Sequence, residues 1–278
     1  QLPSSRIGIA DIIQCPTVRE LADRIGNADS KPAGSPYVVT LRDSIPTFII
    51  PGMPGLSDGY HQLAARIGDC GPVYGLQMKG YAGSAPAGSV EEMAAHNIEQ
   101  IRSIKPRGAI RLYAHSYGGT VVYEMLKQLQ DTGIVVEDVV LIDSGVASWP
   151  KQMDKLSVIA FCRMILENAG IDPTGQEAFI TAILEDKPYP LWKTELAKLL
   201  HAAMGIAADY FLDLWHVVET SLAVDYRYPH GKLPHRPTLI IAEESERWLE
   251  PDCWNAYYDE VRIIHAGGGH YTVVAEPY

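Results

Sequence analysis

Cysteine is scarce in this 278-residue chain: Cys15, Cys70, Cys162 and Cys253 stand far apart, with no C-x-x-C and no metal-ligand spacing. That scatter excludes a disulfide framework and the common zinc motifs, and leaves the four as small apolar residues of a reducing compartment. Positive charge never gathers either: no Lys/Arg block exceeds two residues, and the formal net charge is −11. Nucleic-acid binding needs a basic face, so that class is excluded. No apolar run approaches the roughly 18 residues that a membrane helix requires. The first residues lack a basic segment followed by an apolar one, so no secretory leader is visible. Internal repeats and low-complexity tracts are absent too. The expectation is a soluble, cytoplasmic protein with no metal and no nucleic-acid or membrane partner. What is present is core-forming material, with 47% of residues hydrophobic and 21% charged, ample for a sizeable core.

Along the chain three kinds of stretch follow one another. Residues 8–25 (GIADIIQCPTVRELADRI) read as two short helical pieces, with Thr17 and Glu20 at capping-box spacing and Leu21, Ala22 and Ile25 on one stripe. Residues 26–36 are rich in Gly, Pro, Ala and Ser, and read as a linker. From residue 37 strand-like runs alternate with helical ones: YVVTL, PTFIIPG, PVYGLQMKG, AIRLYAH, VEDVVLIDS, PTLIIAE and EVRIIHAG. Several are continuous β-branched or apolar runs, which suits strands covered on both faces. Between them, SVEEMAAHNIEQIRSI opens with Ser89 and Glu92 at capping-box spacing, and GGTVVYEMLKQLQDTG is expected to stop at Gly133. The alternation predicts an α/β fold, a mostly parallel sheet with helices on both faces. Residues 147–222 break the rhythm with helical periodicity and no strand, as a helical cap or lid between two sheet strands would.

The chemistry centres on RLYAHSYGGTVVYEML. In a G-x-S-x-G turn the serine takes unfavourable backbone angles between a strand and a helix. The positions two before and two after it must be small so that the two elements can approach. Here Ala114-His115-Ser116-Tyr117-Gly118 departs at the first position by one methyl, while Gly118 and Gly119 stand where the helix enters. Leu112 and Tyr113 close an apolar run, and Val121, Val122 and Met125 open a helical stripe. A small-residue turn before an ordinary helix would share the five-residue pattern. The strand-turn-helix setting favours Ser116 as a nucleophile.

A serine hydroxyl needs a base to take its proton, and the base needs an orienting acid; on such a turn they follow in the order Ser, acid, His. After Ser116 the histidines are His201, His216, His230, His235, His265 and His270. His201 and His216 sit in the helical insertion, His230 and His235 flank a proline-rich approach to a strand, and His265 falls within one. His270 lies in the loop HAGGGHYTVV after the final strand-like run, where a glycine-rich segment can carry an imidazole over the sheet. It is the candidate base. For the acid, Asp143 ends VVLID, but Glu243, Glu244 and Glu246 follow TLIIA at the end of the next strand, and both placements line the active edge of a parallel sheet. An oxyanion hole takes one N–H from the residue after the nucleophile, here Tyr117. The second should come from FIIPGMPGLSDGY, where Pro51 and Pro54 have none to give and Gly52, Met53 and Gly55 are candidates.

Residues 37–278 resemble the terminal thioesterase domains of nonribosomal peptide and polyketide synthases. PTFIIPGMPGLSDGYHQLAARI resembles the family's first strand and its glycine-rich loop, and PVYGLQMKGYAGSAPAGSVEEMAAHNIEQIRSIKP its next strand-and-helix unit. YAHSYGG matches the nucleophile motif, VVLIDSG the acid strand and GGGHYTVV the histidine loop. The resemblance implies an α/β-hydrolase fold with a Ser116–Asp143–His270 triad, oxyanion donors at Met53 and Tyr117, and a lid over an acyl-chain cavity at residues 147–222. It departs from the family at Ala114 and in Pro51-Gly52-Met53-Pro54-Gly55, where an H-P-x-G-G form is common. Residues 1–25 resemble the end of a carrier-protein domain, without its phosphopantetheine-bearing serine motif. Residues 26–36 then serve as linker and 37–278 as thioesterase. The implied substrate is a peptidyl or polyketidyl thioester on the phosphopantetheine of that carrier. Release occurs by hydrolysis or cyclisation, with no cofactor of the domain's own and a monomeric state. A general carboxylesterase or lipase of the same fold would instead prefer simple alkyl esters, and a silent docking module would resist serine-directed probes.

Overall fold

A computed structural model describes residues 45–81, 83–146, 152–168, 170–205, 207–245 and 249–274. The helical pieces expected at residues 8–25, the linker at 26–36 and the strand YVVTL lie outside the described residues.

The centre is a six-stranded sheet in the order β2-β1-β3-β4-β5-β6, every described ladder being parallel. Its strands are β1 (Thr47–Ile50), β2 (Val73–Gly75), β3 (Gly108–His115), β4 (Ile134–Ile142), β5 (Thr238–Ala242) and β6 (Arg262–Ala266). The apolar runs become central strands because alternate residues feed two different cores. Phe48, Ile50, Ile110, Leu112, Ala114, Val139, Leu141, Leu239 and Ile241 face one cluster. Ile49, Val73, Val140 and Ile142 face the other. The first face is covered by α2 (Val90–Ile104) and α3 (Gly118–Gln128), through residues such as Met93, Ile98, Val121 and Met125. The second is covered by α1 (His61–Ile67), through Leu63, Ala64 and Ile67. Helices therefore stand on both faces, as the alternation of runs predicts.

The cap of α2 forms as its spacing predicts: Ser89 Oγ accepts from the Glu92 N–H at 3.1 Å. The Glu92 carboxylate reaches back to the N–H of Gly88 at 2.9 Å, one residue beyond the usual partner. The stop expected at Gly133 comes earlier. α3 ends at Gln128, and the chain turns through Asp131, with φ 60°, before Gly133, with φ 81°, leads into β4. The left-handed residue that closes the turn after the helix is thus an aspartate, a type that tolerates this conformation.

Between β4 and β5 the chain inserts four helices, α4 (Lys155–Asn168), α5 (Thr174–Asp186), α6 (Tyr189–Met204) and α7 (Ala208–Ala223). They pack sequentially around an apolar cluster of their own, including Phe161, Leu196, Leu200, Phe211 and Trp215. No helix among the described residues is long and apolar enough to cross a membrane.

Because all the strands run one way, the segments after β1, β3, β4, β5 and β6 gather on a single edge of the sheet. That edge, the C-terminal one, is where open α/β sheets place their chemistry.

Candidate active site

Ser116 follows the last residue of β3 and precedes α3 by one residue, with φ 53°. A positive φ at a residue with a side chain costs about 1–3 kcal/mol, so the surroundings must impose it. They do so with hydrogen bonds on both sides of the peptide unit. The Ser116 N–H donates to the Ile142 carbonyl at 3.0 Å, and the Ser116 carbonyl accepts from Ser144 Oγ at 2.6 Å and from the Gly119 N–H at 3.1 Å. A methyl on Gly118 would stand 2.5 Å from the Ile50 carbonyl oxygen, and one on Gly119 would stand 1.9 Å from Ser144 Oγ. Ala114, by contrast, lies between Ile50 and Leu141 in the sheet register, and its methyl is a fully buried member of the core. The sequence departs from the usual motif only where the extra carbon has room.

His270 and Asp143 meet this serine. His270 Nε2 lies 2.9 Å from Ser116 Oγ, and His270 Nδ1 lies 2.5 Å from Asp143 Oδ2. A carboxylate oxygen only accepts, so Nδ1 carries the proton and Nε2 offers its lone pair to the serine hydroxyl. Asp143 is fully buried and has φ 46°, directly after β4. Burial pushes its carboxyl upward, but hydrogen bonds from His270, Ser245 and the Ala242 N–H outweigh it and hold the group below the usual aspartate value. Oδ1 accepts from Ala242 N–H at 2.9 Å, and Oδ2 accepts from Ser245 Oγ at 2.6 Å.

Glu243 and Glu244 open the short 3-10 turn Glu243–Ser245, and Glu246 lies outside the described residues. Ser245, which the sequence reading passes over, supplies the contact to Asp143; its only signal was its place after β5. Glu244 instead supports the histidine loop, its N–H donating to the Gly268 carbonyl at 3.1 Å. The remaining candidate histidines are placed elsewhere: His201 on α6, His216 on α7, His265 within β6, and His230 and His235 before β5.

For the oxyanion loop, two of the three candidate donors are already committed. The Gly52 N–H donates to Tyr60 Oη at 2.9 Å, and the Gly55 N–H donates to the Gly52 carbonyl at 2.7 Å. Met53 N–H has no such partner among the described residues. The loop is tight against the nucleophile, since a Cβ on Gly52 would lie 2.8 Å from Ser116 Cβ. The Met53 side chain packs against both the sheet core and the cluster of the inserted helices. Tyr117 is buried, and its hydroxyl donates to the Ser221 carbonyl on α7 at 3.3 Å. Among the described residues no group of three or more His, Cys, Asp or Glu could hold a metal ion.

A strained serine after a central parallel strand, with Asp143 and His270 converging from the ends of two further segments, is the architecture of the α/β-hydrolase fold. Residues 46–181 match the thioesterase domain family. The polyketide synthase PksR of Bacillus subtilis (strain 168) is 32% identical over 157 residues, covering 52% of this chain and 6% of the relative. A dimodular nonribosomal peptide synthase of the same organism is 35% identical over 142 residues, covering 50% of this chain and 6% of the relative. The chain therefore spans a small fraction of the curated relatives it matches. Among solved structures, the Vlm2 thioesterase domain superimposes with a TM-score of 0.60 at 21% identity, covering 87% of this chain and 93% of that one, a likeness of fold.

Proposed function

We propose that this chain releases a peptidyl or polyketidyl product from a carrier-protein thioester, with Ser116 as nucleophile, His270 as base and Asp143 as orienting acid. The observation that carries the reading is the hydrogen-bonded line Ser116 Oγ–His270–Asp143 at a strained turn, within a thioesterase-family domain. His270 Nε2 takes the hydroxyl proton as Ser116 Oγ attacks the thioester carbonyl. The Met53 and Tyr117 N–H groups receive the negative charge that develops on the carbonyl oxygen. As the tetrahedral species collapses, the C–S bond breaks, His270 returns its proton to the phosphopantetheine sulfur, and an ester remains on Ser116. In the second half, water or a nucleophile within the acyl chain gives its proton to His270 Nε2 and attacks that ester. The product is an acid or a ring, and Ser116 regains its proton.

The buried Asp143 keeps the imidazole in the tautomer this cycle needs and faces the imidazolium formed in each half. Helices α4–α7 act as the lid, and water excluded beneath them favours internal attack. Residues 1–25 are the end of the upstream carrier domain and residues 26–36 the linker from it. The thioesterase unit works as a cytoplasmic monomer with no cofactor of its own.

A fluorophosphonate probe, which phosphonylates an activated serine, tests the assignment. It should label the protein once, at Ser116, and leave a folded Ser116→Ala variant unmodified. Equal labelling of the two proteins removes Ser116 as nucleophile. Turnover of acyl N-acetylcysteamine thioesters well above that of simple alkyl esters separates a thioesterase from a general esterase.

A further inference from the structure

His115, one residue before the proposed nucleophile, is 3% exposed and is not used in the mechanism above. Its two ring nitrogens point to two different loops. Nε2 lies 2.7 Å from the backbone carbonyl oxygen of His270, and Nδ1 lies 2.8 Å from Tyr60 Oη. Tyr60 Oη in turn accepts from the Gly52 N–H at 2.9 Å.

The donor roles in this chain are fixed by chemistry. A carbonyl oxygen only accepts, so His115 Nε2 must carry a proton. Burial first, and then the neighbouring His270, push His115 down to about 3, so near neutrality the ring holds only that one proton. Nδ1 is then an acceptor, the Tyr60 hydroxyl must donate to it, and the tyrosine oxygen is left to accept from Gly52. Every polar atom in the chain is satisfied in one direction: Gly52 N–H to Tyr60 O–H to His115 Nδ1, and His115 Nε2–H to the His270 carbonyl.

The two ends matter more than the middle. One end is the backbone of the residue proposed as base. The other is Gly52, the residue preceding Met53, the proposed oxyanion donor; the bond holds the Pro51–Gly52 peptide, one unit before the one that carries the Met53 N–H. The His115 ring also packs against the His270 ring, with centroids 4.8 Å apart, and against Tyr60, with centroids 5.7 Å apart. Three segments distant in sequence are thus joined through one imidazole directly behind the nucleophile.

We propose that Tyr60 and His115 are a positioning pair that sets the oxyanion loop and the histidine loop in register with each other across Ser116. This rests on the acyl-transfer reading above. A buried histidine that merely satisfies its own polar atoms would show the same contacts, so the test must read geometry at the site. Displacements near 1 Å can cost on the order of 10²-fold in rate. Tyr60→Phe keeps the ring and removes the hydroxyl that links Gly52 to His115. His115→Leu removes both links. His115→Gln restores an acceptor and a donor on one planar group.

The measurements are the second-order rate constant for fluorophosphonate labelling at Ser116, and kcat and KM on an acyl N-acetylcysteamine thioester, with unfolding midpoints taken alongside. The expected result is a fall of about 10- to 100-fold in labelling rate and kcat for Tyr60→Phe, with KM little changed. His115→Gln should recover most of the activity that His115→Leu loses. Folded Tyr60→Phe protein that labels and turns over at the wild-type rate overturns the proposal. So does a His115→Gln variant as slow as His115→Leu at equal stability. If His115→Leu does not fold, Tyr60→Phe decides alone. Wild-type protein that never labels at Ser116 overturns the acyl-transfer reading itself, a result distinct from both.

Discussion

At the sheet edge, Ser116, Asp143 and His270 are held by named hydrogen bonds from Ser144, Ser245, Ala242 and one another. In the inserted helices α4–α7 the contacts are apolar and aromatic, as between Phe161, Phe211 and Trp215. The Trp215 indole N–H is buried there with no hydrogen-bond partner among the described residues, and Leu156, Phe179 and Leu191 are exposed. Directional bonds fix angles as well as distances, whereas apolar packing mainly conserves volume and tolerates rearrangement. The edge is built for one geometry, and the insertion for a filled space whose shape can vary. Substitutions in the two regions should therefore fail differently, one in rate and the other in stability.

The largest effect should come from Asp143→Asn. Changing the buried acid to an amide keeps its shape but favours the wrong imidazole tautomer. Labelling by fluorophosphonate should drop by about 10⁴-fold with the fold intact by circular dichroism. A drop below tenfold would mean that the bond to Asp143 Oδ2 is not what orients the base.

Next in size is Leu196→Ala in α6. Leu196 is fully buried among the inserted helices, so its loss should cost about 2–5 kcal/mol in urea unfolding. The rate constant for labelling Ser116 by a small probe should stay near wild type. Equal damage to labelling here and in Asp143→Asn would erase the contrast between the regions.

Acid should act on the edge. His115 is held from its ordinary value of 6.5 down to about 3, mainly by burial and then by His270, with its hydrogen bond to the His270 carbonyl and the charge of Asp143 opposing. Between those two values the unfolded chain takes up a proton that the folded chain refuses, so His115's contribution is complete above pH 6.5 and falls as pH drops toward 3. The slope from this group is at most about 1.4 kcal/mol per pH unit. Asp143, held below its usual value, adds to the loss in the same direction at the acid end. Urea unfolding of wild type and His115→Gln across this range should diverge, with the variant flatter; parallel curves would remove His115 as the source.

The smallest effect belongs to Ala114→Gly, which restores the usual motif. Its methyl is buried, so removal should cost about 0.5–1 kcal/mol of stability, as glycine does within a strand. Labelling should be unchanged. A faster rate would show that the methyl displaces Ser116.

The fold was legible because continuous apolar runs such as TFII and VVLI must be covered on both sides, and helical stripes between them supply the cover. The places of Ser116 and Asp143 directly after strands could be read for the same reason, since strand ends mark one edge of the sheet. Strand placement alone left Glu243, Glu244 and Glu246 as rivals, and the family resemblance favoured Asp143. The supporting groups could not be read. Ser245 resembles any turn serine, and the link from Gly52 through Tyr60 to His115 joins residues whose meeting depends on side-chain positions across several segments. That the Gly52 and Gly55 N–H groups are spent within the loop, which supports the proposal of Met53, is a matter of loop geometry that the sequence does not display. The end of α3 falls short of Gly133 because the helix stops at Gln128 and Asp131 already takes a left-handed φ ahead of that glycine.

Met53 packs against both apolar clusters, and the hydroxyl of Tyr117 reaches the backbone of α7 at Ser221. The two residues proposed to hold the oxyanion are thus also the ones that lean on the inserted helices. A chimera that grafts a relative's helices onto this sheet would exchange more than a substrate envelope, because it would rebuild the seats of both donors. Recombination boundaries that carry the segment around Met53 along with the helices should preserve turnover better than cuts placed only at the ends of the insertion.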